Sequence, residues 1–128
     1  MIIKMRIYRR HDLDLIGLFA NKEFDFETEV VKSLKAFVDN KRYVIRFPAT
    51  DNFSKTVNSK CQINIYLDDY KDGKIIDFLY TIPSGNRNSF LKSLVRNNLE
   101  APYVSGFVGD IKFAVPKKKQ VENINEEK

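Results

Sequence analysis

Cys61 and His11 are the one thiol and the one imidazole in this chain of 128 residues, and together they could supply a nucleophile and a base. They stand at non-equivalent points of an internal repeat, and a lone cysteine more often packs as a small inert hydrophobe. One cysteine forms no internal disulfide, and one histidine beside it makes no metal site. Two acidic pairs remain, Asp12 with Asp14 and Asp68 with Asp69. Near strand ends and helix starts they read as turn and capping residues. No P-loop, no Gly-rich dinucleotide turn and no metal-ligand spacing occurs. The expectation is a non-enzyme with no catalytic residue, metal or cofactor.

The apolar fraction, 43%, is enough for one compact domain or for two half-domains sharing a core. A net charge of +5 suits an anionic partner without requiring one. No apolar run approaches the roughly 18 residues of a membrane span. Met1 to Tyr8 lacks the apolar stretch of a signal peptide, so a cytoplasmic protein without membrane contact is expected.

The chain repeats itself. Residues 2–48 slide onto 62–108, an offset of 60, without a gap. Nine positions are identical, among them Ile3 with Ile63, Asp12 with Asp72 and Ile16 with Ile76. Val31-Lys32-Ser33-Leu34 falls on Leu91-Lys92-Ser93-Leu94, and the Tyr-Val-x-x-Phe of Tyr43–Phe47 on that of Tyr103–Phe107. A fixed period is the first clue to architecture, and two copies of one unit predict a two-fold object inside one chain.

Each copy opens on an alternating segment, a strand with one wet and one buried face. Ile3, Met5 and Ile7 alternate with Lys4 and Arg6, and Ile63, Ile65 and Leu67 with Gln62, Asn64 and Tyr66. A first helix follows, with Leu15, Ile16, Leu18 and Phe19 on one face, or Ile75, Ile76, Phe78, Leu79 and Ile82. Asp12 and Asp72 stand near its start, where a carboxylate complements the positive helix end. After Asn21–Glu23 or Pro83–Gly85 a second helix carries Val30, Val31, Leu34, Phe37 and Val38, or Phe90, Leu91, Leu94, Val95 and Leu99. The boundaries read 1–48 for the first unit, 49–61 for a linker and 62–116 for the second unit. Residues 117–128, almost all charge and amide, form a tail expected to be disordered.

Strand, helix, turn, helix, in two copies, resembles the ribbon-helix-helix family of DNA-binding proteins, the Arc and MetJ group. The resemblance covers Gln62 to Leu99 best and Ile2 to Val38 less closely. It implies an α+β, mostly helical fold: a tandem ribbon-helix-helix in which two strand-helix-helix units form one intramolecular pseudo-dimer. The tandem form is similar in architecture to the TraY-type accessory proteins of plasmid transfer.

In that family a two-stranded ribbon enters the major groove of double-stranded DNA. The resemblance makes Lys4, Arg6, Gln62, Asn64 and Tyr66 the base-contacting residues. An amide pairs bidentately with adenine, an arginine with guanine, and Tyr66 could meet a thymine methyl. Asn86, Arg87, Asn88 and Ser89, at the turn into the second helix, are the phosphate contacts; Asn86 or Asn88 also reads as that helix's cap. The plainer reading of all these residues is an ordinary solvated strand and an ordinary helix start.

Copy one has Asp25-Phe26-Glu27-Thr28-Glu29 at that turn, and carboxylates repel a phosphate. The halves then differ, and a non-palindromic or direct-repeat site is expected. The implied setting is a plasmid or other mobile element. Transfer-origin (relaxosome) accessory, partition protein and autorepressor stay open as roles, with a relaxase as a further partner and added assembly on DNA as an open question. The alternative is a protein–protein interaction module of two strand-helix-helix-strand units. There Tyr43–Phe47 and Tyr103–Phe107 are sheet strands, and Lys4, Arg6, Gln62 and Asn64 share no exposed face.

Overall fold

The structure is a computed structural model and describes residues 1–48, 56–57, 60–101 and 112–113. Strand β1 (Ile2–Tyr8) leads into helices α1 (Leu13–Ala20) and α2 (Phe26–Val38). The short strand β2 (Thr56–Val57) precedes β3 (Lys60–Tyr66), α3 (Gly73–Tyr80), a 3₁₀ turn (Ser84–Asn86) and α4 (Arg87–Asn98). A short strand β4 (Lys112–Phe113) pairs in parallel with β2. The fold is α+β, and strand, helix, helix occurs twice at the expected spacing.

β1 and β3 pair antiparallel over their whole length, from Ile2 with Tyr66 to Tyr8 with Lys60. The repeat offset carries Ile2 onto Gln62 and Arg6 onto Tyr66. The pair Ile2–Tyr66 therefore exchanges with the pair Arg6–Gln62, while Lys4–Asn64 maps onto itself. A pseudo-dyad runs through Lys4 and Asn64. The period-two alternation sets this register, because a slip of one residue would turn every apolar side chain outward. Ile3, Met5, Ile7, Cys61, Ile63 and Ile65 all face the core.

The helices close that core from one side. Leu15, Ile16 and Leu18 of α1, Val30 and Leu34 of α2, Ile75, Ile76 and Leu79 of α3, and Leu91, Leu94 and Val95 of α4 are buried. Phe37 departs from expectation. It is 47% exposed and packs its ring tilted against Phe78 and edge-on against Phe90, with centroids 5.2 and 5.4 Å away. Asn40, at φ 58°, ends the α2 segment in the left-handed conformation, and the Lys41 amide donates to the Ala36 carbonyl at 2.8 Å.

β3 starts at Lys60, two residues before the boundary read at Gln62, and β2 lies inside the stretch read as a linker. Tyr43–Phe47 is no regular strand. Ile45 makes an isolated bridge to Leu99, its amide donating to Asn98 O at 2.7 Å and its carbonyl accepting from Glu100 N at 2.9 Å. The wider mixed sheet of the interaction-module reading is absent among the described residues, where β1 and β3 form a sheet of two strands. Tyr103–Phe107 and the tail 117–128 lie outside the described residues. Among the described residues no helix is long and apolar enough to cross a membrane.

Candidate functional site

The face of the ribbon opposite the helices carries Ile2, Lys4 and Arg6 from β1 and Gln62, Asn64 and Tyr66 from β3. Lys4, Gln62 and Asn64 are exposed, Arg6 is half-buried, and Ile2 and Tyr66 are 58% and 60% exposed. The five base-contact candidates thus come together on one surface. The register sets Lys4 beside Asn64 at the centre and Arg6 beside Gln62 at one end. Gln62 Nε2 donates to Asn64 Oδ1 at 3.1 Å, which orients both amides and leaves Gln62 one N–H and its carbonyl oxygen. Ile2, across from Tyr66, completes an apolar end that the sequence reading missed. Its place two residues before Lys4 in the alternation was the available signal.

Two grooves flank the ribbon, and the pseudo-dyad relates them. The first, about 480 Å³, lies between Lys4 and Arg6 of β1 and Ser84, Gly85 and Arg87 at the entry to α4. The second, about 460 Å³, lies between Gln62 and Asn64 of β3 and Lys22, Glu23, Asp25 and Glu27 at the entry to α2. The first is lined by three cations. The second is lined by three carboxylates and one lysine. Asp25 accepts from Thr28 N at 3.2 Å and Thr28 Oγ1 at 2.8 Å, and these bonds hold its carboxyl below the ordinary range. Asp25 is therefore ionised at neutral pH, and carboxylates outnumber cations in the second groove.

The four phosphate candidates separate. Asn88 does not cap α4: its side chain crosses to the outer edge of β1. The Arg6 amide donates to Asn88 Oδ1 at 2.7 Å, and Asn88 Nδ2 donates to Arg6 O at 3.2 Å. Asn86 also makes no side-chain cap; the 3₁₀ turn leads into α4 instead, with Asn86 N donating to Pro83 O at 2.8 Å. Arg87 directs Nε to the carbonyls of Leu79 and Ile82 at 3.0 and 3.1 Å, closing the end of α3 while it lines the first groove. Asn86 and Ser89 are exposed.

Across the pseudo-dyad, Glu27 Oε2 accepts from Tyr66 N at 3.4 Å. Each strand's outer edge is thus engaged by a side chain from the other copy's second helix, which blunts an edge open to further pairing. Asn88→Ala is expected to cost about 1–2 kcal/mol, because it leaves the half-buried Arg6 amide and carbonyl without those partners. Denaturant unfolding reads the loss, and faster amide exchange at Arg6 localises it.

A charge cluster centred on the buried Asp12 ties the copies together at the Tyr8 end of β1. Asp12, 2% exposed, accepts from Lys92 Nζ at 2.7 Å, Arg96 Nη2 at 2.9 Å and the Tyr8 amide at 2.8 Å. Arg96 Nε also binds Asp14 at 2.8 Å, and Lys92 sits 4.9 Å from the Tyr8 ring centroid. Burial works to raise the carboxyl pKa of Asp12, but the bonds from Lys92, Tyr8 and Arg96 outweigh it and hold the group below the usual carboxylate range. Asp14 follows the same balance through Arg96. Asp12 and Asp72 stand at the N-caps of α1 and α3, as expected, but neither side chain makes a cap hydrogen bond. Asp12 and Asp72 turn their carboxylates back to the amides of Tyr8 and Asp68, both at 2.8 Å. Copy two lacks the ion cluster, because Asp14 has Lys74 as its counterpart and Arg96 has Ala36.

Cys61 is buried in the core and His11 is exposed. Among the described residues no three His, Cys, Asp or Glu side chains are grouped to hold a metal. No family model, curated protein or solved structure matches the chain.

Proposed function

We propose that the chain is a tandem ribbon-helix-helix protein that binds double-stranded DNA by laying the β1–β3 ribbon in the major groove. The observation that carries this reading is the uncovered ribbon face, where Lys4, Arg6, Gln62 and Asn64 lie together as cross-strand pairs with no protein layer above them among the described residues. A two-stranded ribbon fits the width of the major groove, and these side chains match the donor and acceptor patterns of its base edges. Ile2 and Tyr66 supply apolar contact for thymine methyls at one end. The alternative, an interaction module, needs those polar residues scattered or covered, and their shared face speaks against it.

The grip is unequal. The first groove, with Lys4, Arg6 and Arg87, suits a phosphate; the second, with Glu23, Asp25 and Glu27, repels one. A site with two different halves follows, as the sequence of copy one suggested. The biological role rests on family resemblance alone, and the location of the preferred site would separate transfer origin, partition site and promoter.

Salt dependence tests the reading. Duplex affinity is expected to fall at least about tenfold between 50 and 200 mM salt, because phosphate contacts release counterions. A titration that is flat in salt counts against DNA as the partner.

A further inference from the structure

Where the chain doubles back after α2, it borders an open, shallow cleft of about 260 Å³. The left-handed Asn40 and the Lys41–Ala36 hydrogen bond turn residues 41–43 back beside the helix. Tyr43 forms one wall. Its hydroxyl donates to Glu29 Oε1 at 2.5 Å, and burial together with that acceptor pushes the phenol pKa up to about 12. Ala36 and the Tyr43 ring supply apolar lining. The rim is Lys32, Lys35, Lys41 and Arg42, all exposed.

None of these four cations is in an ion pair among the described residues. The one carboxylate in the cleft, Asp39, pairs with Lys74 at 3.0 Å and is also attracted by Lys41 and Lys35, so it offsets only part of the rim charge. Duplication accounts for Lys32, whose counterpart is Lys92, but not for Lys35, Lys41 or Arg42, whose counterparts are Val95, Ala101 and Pro102. Lys92 is pinned on Asp12; Ala36 has Arg96, which bridges Asp12 and Asp14; Asp39 has Leu99. Lys35 lies in the last turn of α2, where a cation suits the negative helix end, but the like charge of Lys32 one turn earlier offsets that gain.

We propose that this cleft docks an acidic segment of a partner protein: an extended run of carboxylates interspersed with small apolar side chains. The rim pairs with carboxylates, and the lysine stems, Ala36 and Tyr43 receive the apolar groups. The volume holds a few side chains. A phosphodiester backbone matches the charge but brings nothing to the apolar lining. The cleft runs along α2 from Lys32, about 8 Å of helix beyond Glu27, to Asp39 at its end, and shares no lining residue with either ribbon groove. The proposal is therefore independent of whether the ribbon binds DNA.

The test is fluorescence anisotropy of the full chain with a labelled peptide of alternating Asp and Leu. Wild type is compared with Lys35→Glu/Lys41→Glu, and the melting curve of each variant is recorded so that lost binding is read only on folded protein. Saturable binding is expected, weakened at least about tenfold in the double variant and less in the milder Lys35→Gln/Lys41→Gln pair. The Ala36 and Tyr43 resonances should shift on peptide addition. Absence of saturable binding overturns the proposal, as does equal binding by the reversed variant. So does a reversed variant that keeps the peptide but loses duplex DNA, which would make the cleft a nucleic-acid contact.

Discussion

Asp12→Ala is expected to destabilise the fold by about 3–5 kcal/mol, because it leaves the mostly buried Lys92 without a carboxylate and Arg96 with Asp14 alone. The melting midpoint should fall by on the order of 10–20 °C. Lys92 is itself mostly buried, its side chain 13% exposed, so water cannot easily replace the lost partner. The pseudo-equivalent change Asp72→Ala removes one hydrogen bond, to Asp68 N, and no ion pair. It should cost about 1 kcal/mol.

The pH dependence follows from the direction of the shift. The folded-state pKa of Asp12 is depressed, so its contribution is fully present above the unfolded value of about 3.9 and is lost as pH falls through the folded value. The gap between wild type and Asp12→Ala should therefore be constant near neutrality and narrow in acid below about pH 4. Equal losses from Asp12→Ala and Asp72→Ala would show that the cluster does not join the copies as described.

The second large effect concerns recognition. Gln62→Ala with Asn64→Ala should lower affinity for a preferred duplex by about 30-fold or more, since each bidentate base contact contributes about 1–3 kcal/mol. Both side chains are exposed and outside the core, so the melting curve should barely move. Binding to unrelated duplexes should persist, because it depends on cations such as Lys4 rather than on the amides. A double variant that keeps its preference for the selected duplex would remove the ribbon amides from base reading. Unfolding of the variant would instead mark Gln62 and Asn64 as structural.

The elements that were legible in the sequence are those whose signal is local. Ile3, Met5 and Ile7 against Ile63 and Ile65 state the strand period within a few residues, and the offset of 60 makes the two strands equivalents of each other. The shared polar face of the ribbon follows from that alternation alone. What was not legible depends on partners far along the chain. Nothing near Asp12 announces Lys92 or Arg96, eighty or more residues away, so only its place at the start of α1 was legible. Asn88 reads as a cap from its neighbours, yet its partner is the backbone of Arg6. The Tyr-Val-x-x-Phe spacing invited a strand. In copy one it serves a single bridge from Ile45 to the end of α4. The basic cleft beside α2 depends on a left-handed Asn40, which no periodicity encodes.

The most direct measurement is an amide and side-chain-amide NMR titration of the full chain with a mixed-sequence duplex. Nonspecific phosphate contacts are enough to seat the ribbon, so no preferred sequence has to be found first. The account predicts shifts concentrated at Lys4, Arg6, Gln62, Asn64 and Tyr66, including the side-chain NH₂ signals of Gln62 and Asn64. Further shifts are predicted at Ser84 to Arg87, with much smaller ones at Glu23 to Glu27. A duplex that saturates the chain while the ribbon resonances stay in place would contradict it, as would a chain that leaves the duplex unbound at low salt.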